Sequence, residues 1–290
     1  MKNIAILLDS TSGLTLEASK EFDNIFMIPL YFIFGDESYK DGIDLNVKEF
    51  LKKSEELYEK SGILPTTSQP AIGECIDMYK DILKDFDEIV YITISQKMSG
   101  TYQSGVLAAE EFVGKVTVID SKTTSFGTYI PGVVAANLAK EGKDVAEIVE
   151  VVNKIIEESE VYFVVSDLKH LQRTGRIGAA AATIGNALQL KPVLTIANGE
   201  VTQYEKVRNV KKAHKKIVSY FEEKNLTEND LICITGADAD EYEAFIKGEV
   251  LSLFPNIKIM REDLSPVIAV NTGPGTTGLF VFKNISELKV

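Results

Sequence analysis

The sequence predicts a two-domain α/β protein, with a mostly parallel sheet wrapped by helices in its first half and a mixed sheet in its second. Three observations carry that expectation. At 290 residues the chain exceeds the usual size of one compact core, so two domains with a cleft between them are the starting point. Before about Glu160, short apolar runs alternate with amphipathic stretches, the pattern of successive βαβ units. Beyond it the apolar runs crowd together, as in an α+β region. The boundary is set there, giving domains 1–160 and 161–290. No Pro/Gly/Ser-rich linker marks the join, which is therefore expected to be packed rather than loose.

Taken in order, the first half offers strands at 4–8, 27–32, 88–93 and 115–119, with helical periodicity at 47–60, 71–86, 100–112 and 129–141. The spacing leaves room for right-handed crossovers. The second half offers strands at 161–165, 192–196, 231–235, 257–260, 267–270 and 278–282. Three strands of the first half run into polar, turn-forming clusters: Asp9-Ser10-Thr11-Ser12, the stretch from Ser95 to Gly100, and Asp120-Ser121-Lys122. Ligands of open α/β sheets bind beyond the carboxyl ends of the strands, so these clusters are expected to share one rim.

Composition narrows the function classes. Hydrophobic residues at 45% and charged residues at 26% match ordinary globular proteins, which disfavours disordered and membrane classes. A net charge of -12 argues against nucleic acid as a partner. The opening MKNIAILLDSTSG is too short an apolar run for a signal peptide, and no stretch is long enough to span a membrane, so the chain is expected in the cytoplasm with no integral membrane segment. Cys75 and Cys233 lack metal or redox spacing and read as buried apolar residues. One basic run, Lys206, Arg208, Lys211, Lys212, Lys215 and Lys216, reads equally as a solvated helix face or as a docking surface for a protein partner, with Arg208 as its candidate contact.

The polar clusters hold the candidate binding residues. Thr66, Thr67, Ser68 and Gln69 lie between two prolines ahead of a helical pattern. Hydroxyls there cap the first amides of a helix, and the same place attracts anions; capping alone and capping with ligand binding are both open. Ser95, Ser99, Gly100 and Thr101 repeat that chemistry after a strand, with Gly100 allowing close backbone approach. A carboxylate between the two helix starts would take hydroxyl bonds from Thr67 and Ser99 without needing a cation. Arg176, beside a Gly turn, suits an anion or the domain interface, while His170 reads as structural or surface. The run of small residues at 178–185 reads as close helix packing, and the Gly-rich turn at 271–278 lacks the ending of a phosphate loop. There is no GxSxG elbow, no HExxH and no GxGxxG after the first strand, and two histidines leave little for a triad.

Together, and in this order, several segments resemble the DegV family of bacterial fatty acid-binding proteins, which includes the FakB subunits of fatty acid kinase. They are Asp9-Ser10-Thr11-Ser12, YKDGIDL at 39–45, TTSQP at 66–70, SGTYQS at 99–104, Asp120-Ser121-Lys122, DLKHL at 167–171, GRIG at 175–178, KPVL at 191–194 and TGPGT at 272–276. The resemblance implies an α/β/α domain with a parallel sheet and an α/β sandwich domain with a mixed sheet, enclosing a long-chain fatty acid. It implies that Thr67 and Ser99 hold the carboxylate; Ser10, Thr66, Ser68, Ser95, Gly100, Thr101, Arg176 and Asn271 are secondary candidates for the site. It further implies a carrier rather than an enzyme, without cofactor or metal, that presents the acid to a separate ATP-dependent kinase subunit. Many family members have His where this chain has Asn271. The competing expectations are a phosphoryl-transfer or hydrolytic enzyme using the polar rim and an exported solute-binding protein.

Overall fold

The computed structural model describes residues 2–184 and 190–285. The first half contributes strands β1 (Ile4–Asp9), β2 (Ile25–Ile28), β3 (Tyr31–Phe34), β4 (Glu37–Lys40), β5 (Thr66–Ser68), β6 (Glu88–Thr93) and β7 (Val116–Asp120). The second contributes β8 (Glu160–Val164), β9 (Val193–Ala197), β10 (Glu200–Glu205), β11 (Leu231–Ala237), β12 (Lys258–Asp263) and β13 (Thr276–Phe282). The helices are α1 (Leu16–Ser19), α2 (Val47–Ser61), α3 (Ile72–Ile82), α4 (Thr101–Ala109), α5 (Phe126–Lys140) and α6 (Val145–Glu158), then α7 (Lys169–Thr174), α8 (Ala180–Ile184), α9 (Val210–Glu222), α10 (Asp240–Leu253) and α11 (Pro266–Thr272).

A parallel sheet of order β2-β1-β6-β7 forms the first layer. Every residue of β1 is buried, as a strand covered on both faces requires. Ala5 and Leu7 pack with Cys75 and Tyr79 of α3 and Ala108 of α4. Ile4, Ile6 and Leu8 point the other way, toward Ala135 of α5 and Ile148 and Val152 of α6. Gly132 lets α5 come close, since a Cβ there would sit 2.7 Å from Leu8 Cδ2.

The second sheet is mixed, in the order β10-β9-β8-β13-β11-β12, with β11 and β12 parallel and the other pairs antiparallel. Tyr162, Val164, Ile232, Ile234, Leu279 and Val281 turn toward α9 and α10. Val161, Cys233 and Phe280 turn back to Phe126 and Ile130 of α5. That helix is therefore sandwiched between the two sheets, so the halves share a core. A small antiparallel sheet, β4-β3-β5, closes one side and packs Phe32 and Phe34 against α2 and α11.

Four expectations from sequence need correction. The single strand at 27–32 is two strands in different sheets, because Pro29 has no N–H to continue a ladder and Leu30 donates to Ser10 Oγ at 3.0 Å instead. The run at 267–270 is helix, not strand: Ser265 caps α11 through Ile268 N–H, and Pro266 occupies its first turn. Residues 66–68 form β5 rather than a helix start; α3 begins at Ile72, and Glu74 accepts the Ala71 N–H at 2.7 Å. The helix expected at 100–112 ends at Ala109 and finishes as a 3₁₀ turn. Gly185, the last of the small-residue run, lies outside the described residues.

Candidate functional site

Between the sheets, beyond the carboxyl ends of β1 and β6, lies a cavity of about 340 Å³. That volume falls within the range of small-molecule sites, roughly 300–1,000 Å³. Its wall is assembled from both halves. Leu30, Ile94 and Met98 come from the first, and Val161, Phe163, Ile196, Leu264, Ile268 and Phe280 from the second. On the sheet side, Phe163, Gly278 and Thr235 stand in one row across β8, β13 and β11, so the missing side chain at Gly278 leaves space between its neighbours.

Hydroxyl residues line this wall from both halves, among them Thr67, Ser99 and Thr124 from the first and Thr235 and Thr276 from the second. Thr67 sits opposite Phe32 in the β3/β5 ladder, which turns it inward, and its hydroxyl has no partner among the described residues. Ser99 precedes α4; its Oγ lies 2.8 Å from Thr101 Oγ1 and accepts the Thr101 N–H at 3.3 Å. Gln69 joins the two segments. A Cβ on Gly100 would strike the Gln69 carboxamide, whose Nε2 donates to Ser104 Oγ at 2.8 Å. Gly100 is thus needed for contact with the Thr67 strand, a narrower role than the general backbone approach expected from sequence.

The remaining candidates divide. Ser68, Gly100, Arg176 and Asn271 line the cavity with Thr67 and Ser99. Thr66 is exposed and pairs with Ile33, which places it on the opposite face of the ladder from Thr67. Ser10, Ser95 and Thr101 are buried behind the wall: Ser10 accepts from Leu30, Ser95 donates to Gly199 O at 2.8 Å, and Thr101 holds Ser99. Arg176 spans the two halves, with Nε donating to Met98 O at 3.2 Å and Nη1 to Thr174 O at 2.6 Å. Arg208 is exposed on the segment before α9, away from the cavity, while Lys211, Lys215 and Lys216 pair with Glu241, Glu249 and Glu205. His170 packs against Gly273 outside the cavity wall, and burial followed by nearby Arg173 lowers its pKa.

Two buried acids support the site without having been expected to. Asp9 accepts the N–H of Ile94 at 2.6 Å and of Thr11 at 3.0 Å, fixing the end of β6 at the cavity. Asp41 accepts the Val267 N–H at 3.3 Å and so ties the first half to α11. Burial pushes their carboxyl pKa values up to about 6 and about 7, against the pull of their hydrogen bonds. The motif DST and the aspartate of YKDG carry the available signal, but sequence alone does not say that both acids are buried. Arg173 adds a third tie, donating to Pro65 O at 3.0 Å and to Val270 O at 3.4 Å, which clamps the approach to β5 onto α11.

Chemically, the wall combines apolar side chains with neutral hydroxyl and amide groups. Among the described lining residues Arg176 alone carries formal charge. Among the described residues no group of three or more His, Cys, Asp or Glu could hold a metal ion, and no helix is long and apolar enough to cross a membrane.

Comparison with known proteins agrees with this architecture. The family model described as "Uncharacterised protein, DegV family" matches residues 3–284. Protein DegV of Bacillus subtilis is 33% identical over 283 residues, 96% of this chain and 98% of that protein. Its solved structure, described as that of a fatty acid binding protein, superimposes with a TM-score of 0.86 at 32% identity, covering 98% of this chain and 100% of that one. A DegV family protein from Thermus thermophilus, described for its fatty acid binding, gives a TM-score of 0.89 at 32% identity, with 98% and 100% covered. With a family match over nearly its whole length and a shared two-domain fold, this chain belongs to the DegV family.

Proposed function

We propose that this protein carries one long-chain fatty acid in the cavity between its halves, with the head group held by the hydroxyls of Thr67 and Ser99. The observation that carries the reading is the cavity itself, apolar along the mixed sheet and provided with inward hydroxyls on β5 and before α4. Fatty acid binding by the structural relatives supports the same ligand. Each methylene moved out of water contributes about 0.8 kcal/mol, so a tail of about 15 contributes on the order of 10 kcal/mol before the losses of association. Tail burial sets affinity, and the hydroxyls set position. The protein itself acts as a cytoplasmic carrier rather than an enzyme, needs no cofactor or metal, and presents the acid to a separate ATP-dependent kinase subunit for acyl-phosphate formation; Arg208 is the candidate docking contact.

The double variant Thr67→Val, Ser99→Ala tests the head-group assignment. Two lost hydrogen bonds at about 1 kcal/mol each weaken fatty acid binding roughly 30-fold while the fold is kept. Native mass spectrometry and thermal melting read both quantities. A folded variant with the lipid and occupancy of the wild type sinks the assignment.

A further inference from the structure

The cavity wall that carries Thr67 and Ser99 holds hydrogen-bond donors and also a buried acceptor without a partner among the described residues, Asn271. Thr67 has one free hydroxyl proton to give. Ser99 and Thr101 share one hydrogen bond, so a single proton remains between them. At the start of α4, Ser99 N–H donates to Ser95 O at 3.1 Å and Thr101 N–H to Ser99 Oγ.

Asn271 presents the opposite need. Its residue exposure is 9%, and its Nδ2 donates to Val267 O at 2.8 Å, one helical turn back. That bond fixes the amide, because a carbonyl oxygen requires the nitrogen to face it. Oδ1 is left buried without a partner among the described residues, on a side chain that forms part of the cavity wall. A buried acceptor of this kind requires a donor. The Arg173 clamp, bonding both Pro65 O and Val270 O, brings the segment ahead of Thr67 to the residue next to Asn271. A carboxylate has no proton to give and would face Asn271 Oδ1 with like partial charge. A carboxylic acid has one donor and one carbonyl acceptor, which matches two hydroxyl donors and one amide acceptor. The one formal charge on the wall, Arg176, is exposed to water and spends Nε and Nη1 on backbone carbonyls.

We propose that Asn271 makes the site selective for the protonated, uncharged form of its fatty acid, with Oδ1 accepting from the acid's hydroxyl. The inference rests on the carrier reading and goes beyond it by assigning the head group's charge state. It makes Asn271 a specificity-determining residue.

The test uses oleic acid labelled with ¹³C at its carboxyl carbon, bound to the full-length protein and followed by NMR across pH 5 to 9. The chemical shift reports ionisation directly. The expected result is a bound carboxyl that titrates at least ~1 pH unit above the ~4 to 4.5 of a solvated carboxyl group, or stays neutral throughout. In Asn271→His, a donor that carries charge below its own pKa replaces the acceptor, and the bound carboxyl is expected to titrate lower than in the wild type. A bound signal that is ionised over the whole range in the wild type overturns the inference and leaves the carrier reading intact. So does an unchanged titration in a folded, lipid-loaded Asn271→His. Absence of any bound signal overturns both.

Discussion

Asp41 shows how a single buried acid couples the two halves to pH. Its folded-state pKa of about 7 stands above the ordinary 3.8, with burial as the leading cause and Asp9 as a like-charged neighbour. The folded chain therefore holds this proton more tightly than the unfolded one. The stability it contributes is full below about 3.8 and is lost as pH rises through about 7. Asp9, raised to about 6, acts with the same sign lower in that window. Between about pH 5 and pH 8 the wild type is expected to lose on the order of a few kcal/mol, because each tenfold difference in proton affinity between the folded and unfolded chain is worth ~1.4 kcal/mol. Asp41→Asn keeps an acceptor for Val267 N–H and is expected to lose measurably less; equal falls in urea midpoint for both proteins would contradict this. That Thr67 and Ser99 line the cavity is legible from the hydroxyl-rich clusters they belong to, although the sequence places Thr67 at a helix start and the fold places it on β5. Gln69, Asp41 and Arg173 are not, since each acts across more than 30 positions of sequence on a partner that only the fold supplies.

At the scale of elements, periodicity locates the strands of the parallel sheet and five of the six of the mixed sheet, misses the edge strand β10, and fails where apolar runs are short. Residues 267–270 are buried on all sides as helix α11, so they show neither a twofold nor a 3.6-fold pattern, and four apolar residues alone do not distinguish strand from helix. Ser265 followed by Pro266 is the available signal, an N-cap and first-turn proline. The polar strands β4 and β5 escape a reading by periodicity because their side chains are mostly exposed or half-buried and offer no apolar alternation. The apolar strands leave a testable mark on the ligand. On β13, Gly278 faces the cavity between Phe163 and Thr235, and a Cβ there lies 3.1 Å from Thr235 Cγ2. Gly278→Val adds volume to the cavity floor, at an overpacking cost of about 1–3 kcal/mol. The lipid that copurifies with it is expected to shift toward shorter chains. An unchanged chain-length distribution in the folded variant would show that the tail does not run over β13.

For the whole molecule, the cavity lies where the two halves share their core, so a ligand bound there would complete an interface that α5, Arg176 and Asp41 begin. A ligand that binds the folded state alone stabilises it by about 2.7 kcal/mol at a hundred times its Kd. Extracting the lipid is expected to lower Tm by roughly 5–10 °C, reversed by adding fatty acid back; no change in Tm would mean that the lipid lies outside the folded core. The two-domain class is readable from the alternation of apolar runs, whereas the enclosed space between the sheets depends on residues spread from Leu30 to Phe280 and on no local pattern. The most direct test of the carrier reading is native mass spectrometry of the purified protein before and after lipid extraction and after incubation with oleic acid. One copurified fatty acid per chain, lost on extraction and replaced by one oleic acid, is the predicted result; a chain that is empty as purified and takes up no oleic acid would contradict it.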